Sequence, residues 1–310
     1  MSDRRLDQML PAATMMLRGE AGILVRACFL AFFLCSAQFP AAAWAQSNYE
    51  LDTIGVARLD TVLDESSGLA IHNGSIWTHN DSGDEARLFE LDRLGNIKRQ
   101  VVISNADNID WEAMASDADY LYIADTGNNV NFRSTLSIYR LSWDSLQAAT
   151  AEAEQIQLRY ADHVAGNPRR HNFDAEAIAV RGDELWLFSK NRGDRNTRLY
   201  RFPKVPGYYR PQPSQTLPVD SLVTGADIHP QSGDLILLSS RRQDENFVWW
   251  APTSDSGVNW QQLQLVRIEP ADQWEAIHWD PDNSRRIYLT HERNTRNFAG
   301  LATIELRPPD

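Results

Sequence analysis

Residues 112–124 read Glu112-Ala113-Met114-Ala115-Ser116-Asp117-Ala118-Asp119-Tyr120-Leu121-Tyr122-Ile123-Ala124: a four-residue phrase, a polar turn and a second apolar run. The unit returns four more times. Its first half stands at Ser67-Gly68-Leu69-Ala70, Glu176-Ala177-Ile178-Ala179, Thr224-Gly225-Ala226-Asp227 and Glu275-Ala276-Ile277-His278. Its second half stands at Ser75–His79, Glu184–Phe188, Asp234–Leu238 and Arg286–Thr290. Turn formers separate the halves, among them Asn73-Gly74, Arg181-Gly182-Asp183 and Pro281-Asp282-Asn283, so each unit reads as a β-hairpin. The first residues of successive phrases lie 45, 64, 48 and 51 positions apart, within or near the period of propeller blades.

Outward from the hairpins, a third strand is expected at Arg87–Leu91, Leu136–Leu141, Arg198–Phe202, Phe247–Ala251 and Gly300–Leu306. A weaker fourth is expected at Lys98–Ile103, Gln155–Tyr160, Gln215–Val219 and Gln261–Ile268. The fifth unit lacks a fourth strand, while Glu50–Leu59 precedes the first unit unclaimed. Pairing the two closes the ring and removes the sheet edges that invite aggregation. The fold expected is all-β, a five-bladed β-propeller of four-stranded antiparallel blades, or six-bladed if the 64-residue interval conceals a degenerate blade. An open sandwich explains the strands but not the fixed phrase. Helical periodicity competes only at the Ala/Glu-rich Leu146–Glu154.

Composition excludes several classes. The chain of 310 residues has a net charge of −12, and its two cysteines, Cys28 and Cys35, lie in the first 45 residues. Without that stretch there is no cysteine for a disulfide, a thiolate zinc site or a thiol nucleophile. An acidic chain does not suit nucleic acid or an anionic membrane. With 10 Trp, 9 Tyr and 11 Phe, apolar side chain suffices for a core.

Ala27–Ala37 is an uncharged apolar run preceded by Arg18 and Arg26. It is too short to span a bilayer and suits a signal peptide. Ala43 and Ala45 then supply small residues at −3 and −1, placing cleavage before Gln46. Residues 1–45 are therefore expected to be a signal peptide, and residues 46–310 a single, monomeric propeller domain in the periplasm or beyond. A start at Met15 or Met16 gives a more usual leader length.

In a propeller the first strand of each blade lines the central channel. Ser67, Glu112, Glu176, Thr224 and Glu275 should then ring the channel mouth. Three carboxylates on one axis need raised pKa values or a cation. An all-oxygen set favours calcium over zinc, so one Ca2+ held by these five residues is expected. In the alternative, each Glu hydrogen-bonds the neighbouring blade. Trp111 and Trp274 either wall the channel or pack between blades. Lys190, Arg192 and Arg241 form a cationic arc suited to an anionic substrate, and Asp125 or His79 could position or deprotonate a water. No GxSxG, HExxH, P-loop or GxGxxG is present, and the seven histidines show no ligand spacing.

The phrases Ser67-Gly68-Leu69-Ala70, His79-Asn80-Asp81-Ser82-Gly83, Asp110-Trp111-Glu112-Ala113-Met114-Ala115 and Asp125-Thr126-Gly127-Asn128-Asn129, with Arg133 downstream, resemble a family of exported bacterial β-propeller proteins. That resemblance spans most of residues 60–300 and implies fold and export rather than any one activity. A looser similarity is to the calcium-activated nucleotidases (apyrases), five-bladed propellers with Ser and Glu of successive inner strands on a central calcium. It implies the same roles for Ser67, Glu112, Glu176, Thr224 and Glu275, with Thr in place of one Ser; the nucleotidases' substrate-binding residues cannot be mapped onto this sequence. The Ser-Gly-Leu-Ala phrase is also similar to propellers with phytase-like or lactonase-like labels. The function expected is a calcium-containing, metal-dependent hydrolase of a small phosphate-ester-like anion. The alternative is a non-catalytic propeller binding a glycan or protein, with a structural metal.

Overall fold

A computed structural model describes residues 50–242 and 245–307. The expected signal peptide and its cleavage site lie outside the described residues. No helix among those described is long and apolar enough to cross a membrane.

Five antiparallel hairpins head five sheets. Their inner strands are Ser66–His72, Trp111–Ser116, Ala175–Arg181, Leu222–Ile228 and Trp274–Asp280. Each packs on the next, and the fifth packs on the first, so the row closes into a ring. Second and third strands follow where the apolar runs place them, and fourth strands form at Ile97–Ile103, Glu154–Leu158, Pro213–Leu217 and Gln264–Ile268. The fifth blade is completed from the other end of the sequence. Glu50–Arg58 pairs antiparallel with Gly300–Arg307, Glu50 opposite Arg307 and Arg58 opposite Gly300.

The strands read as near-continuous apolar runs because each sheet is covered on both faces, and alternate side chains serve opposite neighbours. Leu121 and Ile123 join the core between blades one and two, while Tyr122 and Ala124 join that between two and three. Leu235 and Leu237 face blade three, while Ile236 and Leu238 face blade five. There are five such cores, one at each blade–blade junction. Trp111 and Trp274 are buried in two of them, so they pack between blades.

The 64-residue interval holds no sixth blade. Instead of a helix, Leu146–Glu154 contributes part of a 3-10 turn and Thr150–Ala151, which pairs parallel with the outer strand of blade one. The interval also carries Arg159–Asp174, which is free of strand. Gly207–Tyr209, beyond blade three's third strand, adds a parallel fifth strand to blade two. Both departures are edge pairings between neighbouring blades, which a pattern internal to each unit does not contain.

Candidate functional site

Every inner strand carries a β-bulge, and the residue left over is the first of the repeated phrase. Ser66 pairs with Asn80 and Gly68 with His79, leaving Ser67 unpaired. In the same way Glu112 is left over between Trp111 and Ala113, and Glu176 between Ala175 and Ala177. Thr224 and Glu275 are left over likewise. A bulge bends its strand and re-aims a side chain; here five equivalent bulges mark one end of the channel. All five residues are buried except Glu275, which is half-buried.

The residues that follow the second-strand ends bring further groups to this end. Asp81, Lys190 and Glu292 occupy equivalent places: their backbone N–H groups donate to Glu65 O, Asp174 O and Gln273 O at 2.9, 2.8 and 3.2 Å. Two carboxylate triads result, Asp81–Asp110–Glu112 and Glu112–Asp174–Glu176, in each of which the ligand oxygens lie within 4.8 Å of one another. Asp110 and Asp174 stand two residues before Glu112 and Glu176. The shared layout of these segments was visible in the sequence, but not that the extra carboxylates reach the same mouth.

The loop Asp125-Thr126-Gly127-Asn128-Asn129 builds this wall. Asp125 is fully buried, paired with Arg133 at 2.8 Å, and accepts the N–H of Asp110 at 3.1 Å. Arg133 also donates to Gly127 O at 2.7 Å. Thr126 donates to Ala175 O at 2.8 Å, and the Asn128 N–H donates to Asp174 Oδ1 at 2.7 Å, which ties blade two to blade three. Gly127 is required by space: a Cβ there would press on the carboxylates of Asp110 and Glu112. Asp125 thus positions the wall rather than facing the channel. His79 is buried against Trp111, its Nδ1 2.9 Å from Asn80 O, and burial pulls its pKa down to about 4. The structure therefore puts neither Asp125 nor His79 among the mouth carboxylates.

The cationic arc is turned inward. Lys190 forms an ion pair with Glu176. Burial opposes the charge on Lys190, yet Glu176, Glu275, Glu112 and Asp174 together hold its pKa above the ordinary lysine value. Arg192 reaches Asp174 at 2.9 Å and Glu176 at 3.5 Å. Arg241 lies apart, 3.6 Å from Asp220 and over the Phe247 ring. The two hydroxyls serve the ring joint: Ser67 donates to Glu112 O at 2.7 Å, and Thr224 to Trp274 O at 3.2 Å.

Negative charge remains in excess. Burial, then Asp81 and Asp174, push Asp110 up to about 6. Burial, then Glu176 and Asp81, hold Glu112 well above the usual carboxylate range. Glu176 is raised to about 8 by burial against the opposing Lys190, and Glu292 to about 9 by burial and Glu275. Oxygen donors without sulfur or imidazole are the chemistry of a hard divalent cation, and the two triads are groups that could hold one.

The opposite end holds a cavity of about 460 Å³ lined by His72, His229, His278, Asp117, Asp227 and Lys204, among others. Sequence reasoning missed it. The signal was that His72 and His229 each stand five residues after the first residue of their phrase.

Against known proteins, no family model matches the chain, and no curated protein does. The PQQ-bound aldose sugar dehydrogenase of Streptomyces coelicolor, a β-propeller, is similar in structure, with a TM-score of 0.52 at 11% identity over 86% of this chain and 100% of that one. A putative 6-phosphogluconolactonase of Bacteroides uniformis gives 0.42 at 16% identity over 78% of this chain and 68% of that one. At these identities the first likeness supports the fold alone.

Proposed function

We propose that the protein binds calcium at its carboxylate mouth and is a metal-dependent hydrolase of a small anionic, phosphate-ester-like substrate, exported by residues 1–45. The observation that carries this reading is the surplus of buried and half-buried carboxylates over cations at one end of the ring. Like charges a few Å apart cost about 4 kcal/mol per pair at an effective dielectric near 20, and a divalent ion turns that cost into attraction. Asp81, Asp110, Glu112 and Glu275 are the groups available to hold it. When bound, such an ion polarises a substrate oxygen and acidifies a water. Glu292, whose pKa burial and Glu275 raise before an ion binds, lies outside that ligand set and is the carboxyl group this reading assigns as proton donor to a leaving group.

A second reading has its own observation: Lys190 and Arg192 are engaged by Glu176 and Asp174, which leaves neither free for an anion. In that reading the ion pins the blades and the propeller binds a glycan or protein without turnover. Purified protein, assayed against phosphate esters, nucleotides and lactones with calcium and with chelator, decides between them. Calcium-dependent turnover is expected; calcium binding without turnover on any substrate selects the second reading.

A further inference from the structure

The two carboxylate triads of the mouth share Glu112, and the chain treats them differently. In the Glu112–Asp174–Glu176 triad the charges are answered from within. Asp174 accepts from the Asn128 N–H at 2.7 Å through Oδ1 and from Arg192 Nε at 3.0 Å through Oδ2. Glu176 holds Lys190. In the Asp81–Asp110–Glu112 triad no Lys or Arg forms an ion pair with any member among the described residues. The carboxylates of Asp110 and Glu112 accept no hydrogen bond from any described residue, and Asp81 accepts only from the neighbouring Ser82. Glu112 is 4% exposed, and its unpartnered carboxylate faces the mouth beside the half-buried Asp81 and Asp110, a position where a lone charge is costly.

This open triad is also built. Asn108 donates to Asp81 O at 2.8 Å and accepts the Trp111 N–H at 3.1 Å, joining the rim of blade one to the inner strand of blade two. Asp110 is held from behind by Asp125 at 3.1 Å. Gly127 leaves the carboxylates of Asp110 and Glu112 the volume that a side chain would take.

We infer that the divalent cation sits off the channel axis, on Asp81, Asp110 and Glu112, and that Lys190 is a tethered counter-ion filling the second, Glu112–Asp174–Glu176 position. The mouth is then a two-position carboxylate site sharing Glu112, with one position reserved for an external ion. This placement rests on the reading that the mouth binds a cation, and it replaces the axial set of five ligands expected from the repeat.

Calorimetric titration of chelator-stripped full chain with calcium alone tests both parts. Wild-type protein should bind one equivalent. Asp81→Asn and Asp110→Asn should each weaken binding on the order of 100-fold, the upper end of what even an outer-shell partner costs. Glu275→Gln, outside both triads, should cost at least about tenfold less than either, as befits a charge acting at a distance. Lys190→Met together with Arg192→Met, which removes both cations from Asp174 and Glu176, should raise the stoichiometry to two. Gly127→Ala keeps every carboxylate and should still weaken binding, which covers the case in which an Asp variant does not fold. Wild-type affinity in Asp110→Asn or Gly127→Ala, or complete loss in Glu275→Gln, overturns the off-axis position. A single equivalent in the folded Lys190→Met, Arg192→Met double variant overturns the counter-ion. No binding heat with wild type overturns the cation reading itself, and with it this placement.

Discussion

Where the five inner strands begin, carboxylates from blades one, two, three and five crowd together, with Lys190 and Arg192 as their nearest cations. Where the same strands end, three histidines line a cavity with charges that are matched. Asp117 meets Lys204 at 2.9 Å. Asp227 accepts the N–H groups of Ile228 and Trp279 at 2.8 and 2.9 Å and lies 3.3 Å from His278. Both ends are polar, and they differ in what is left over: at the first it is carboxylate charge, at the second the charges are paired and the Nε2 atoms of His229 and His278 stay buried without a hydrogen-bond partner. Charge imbalance, rather than polarity or cavity size, is what sets the mouth apart.

The largest effect should come from removing what both ends share, the closed ring. Deleting residues 46–60 strips the edge strand from blade five, with Leu51 and the buried Leu59. Both ends should loosen together, and the melting temperature should fall by roughly 10 °C or more. A variant that melts like the parent would show that closure holds neither end.

Next in size, Lys190→Met in chelator should destabilise by about 3–5 kcal/mol, the usual cost of orphaning a buried charge. Calcium should restore most of it. Urea unfolding with and without calcium reads the difference, and a loss that calcium does not repair would contradict the imbalance.

The two ends should also respond to pH in opposite senses. Glu292 is raised by burial and Glu275 to about 9, while Glu176 is ion-paired with Lys190. Between the ordinary carboxylate range and about 9 the native state holds a proton on Glu292 that the unfolded chain has lost. Stability at the mouth is therefore full below the ordinary carboxylate range and falls as pH rises through about 9. His72 and His229 are lowered by burial, so their contribution is present above about 6.5 and is lost as pH falls. In chelator the melting temperature should pass through a maximum, dropping by the equivalent of about 2 kcal/mol on the alkaline side. Calcium should flatten that side and leave the acid side alone. A monotonic profile, the same with and without calcium, would break the contrast.

The smallest effect expected is at the matched end. Asp227→Asn turns an acceptor of two backbone N–H groups into a partial donor and should cost about 1–3 kcal/mol. Calcium affinity should not change. A shift in affinity would mean that the ends are coupled along the strands.

The fold was legible because each unit repeats its own hairpin and the turn formers stand at matching places. The five bulged positions were legible for the same reason: the repeated phrase begins on the bulge. What the pattern did not reveal are relations between units. That Asp110 and Asp174 join Glu112, that Lys190 points into the carboxylates, and that Asp125 is walled in by Arg133 all follow from loops crossing blade junctions. Leu146–Glu154 shows the same limit, since its strand exists only through the edge of blade one.

The pairing of Glu50–Arg58 with Gly300–Arg307 also sets a clock. Among the described strands, the first to be synthesised is the last to find its partner, which leaves the ribosome more than two hundred residues later. At about 5–20 residues per second that wait is on the order of ten seconds or more. Through it the earlier blades exist as an incomplete row with an apolar flank at each end. A chain in that state, nascent or newly exported, is open to proteases and to other copies of itself, so a chaperone that covers the flanks matters to it as well as the stability of the finished ring.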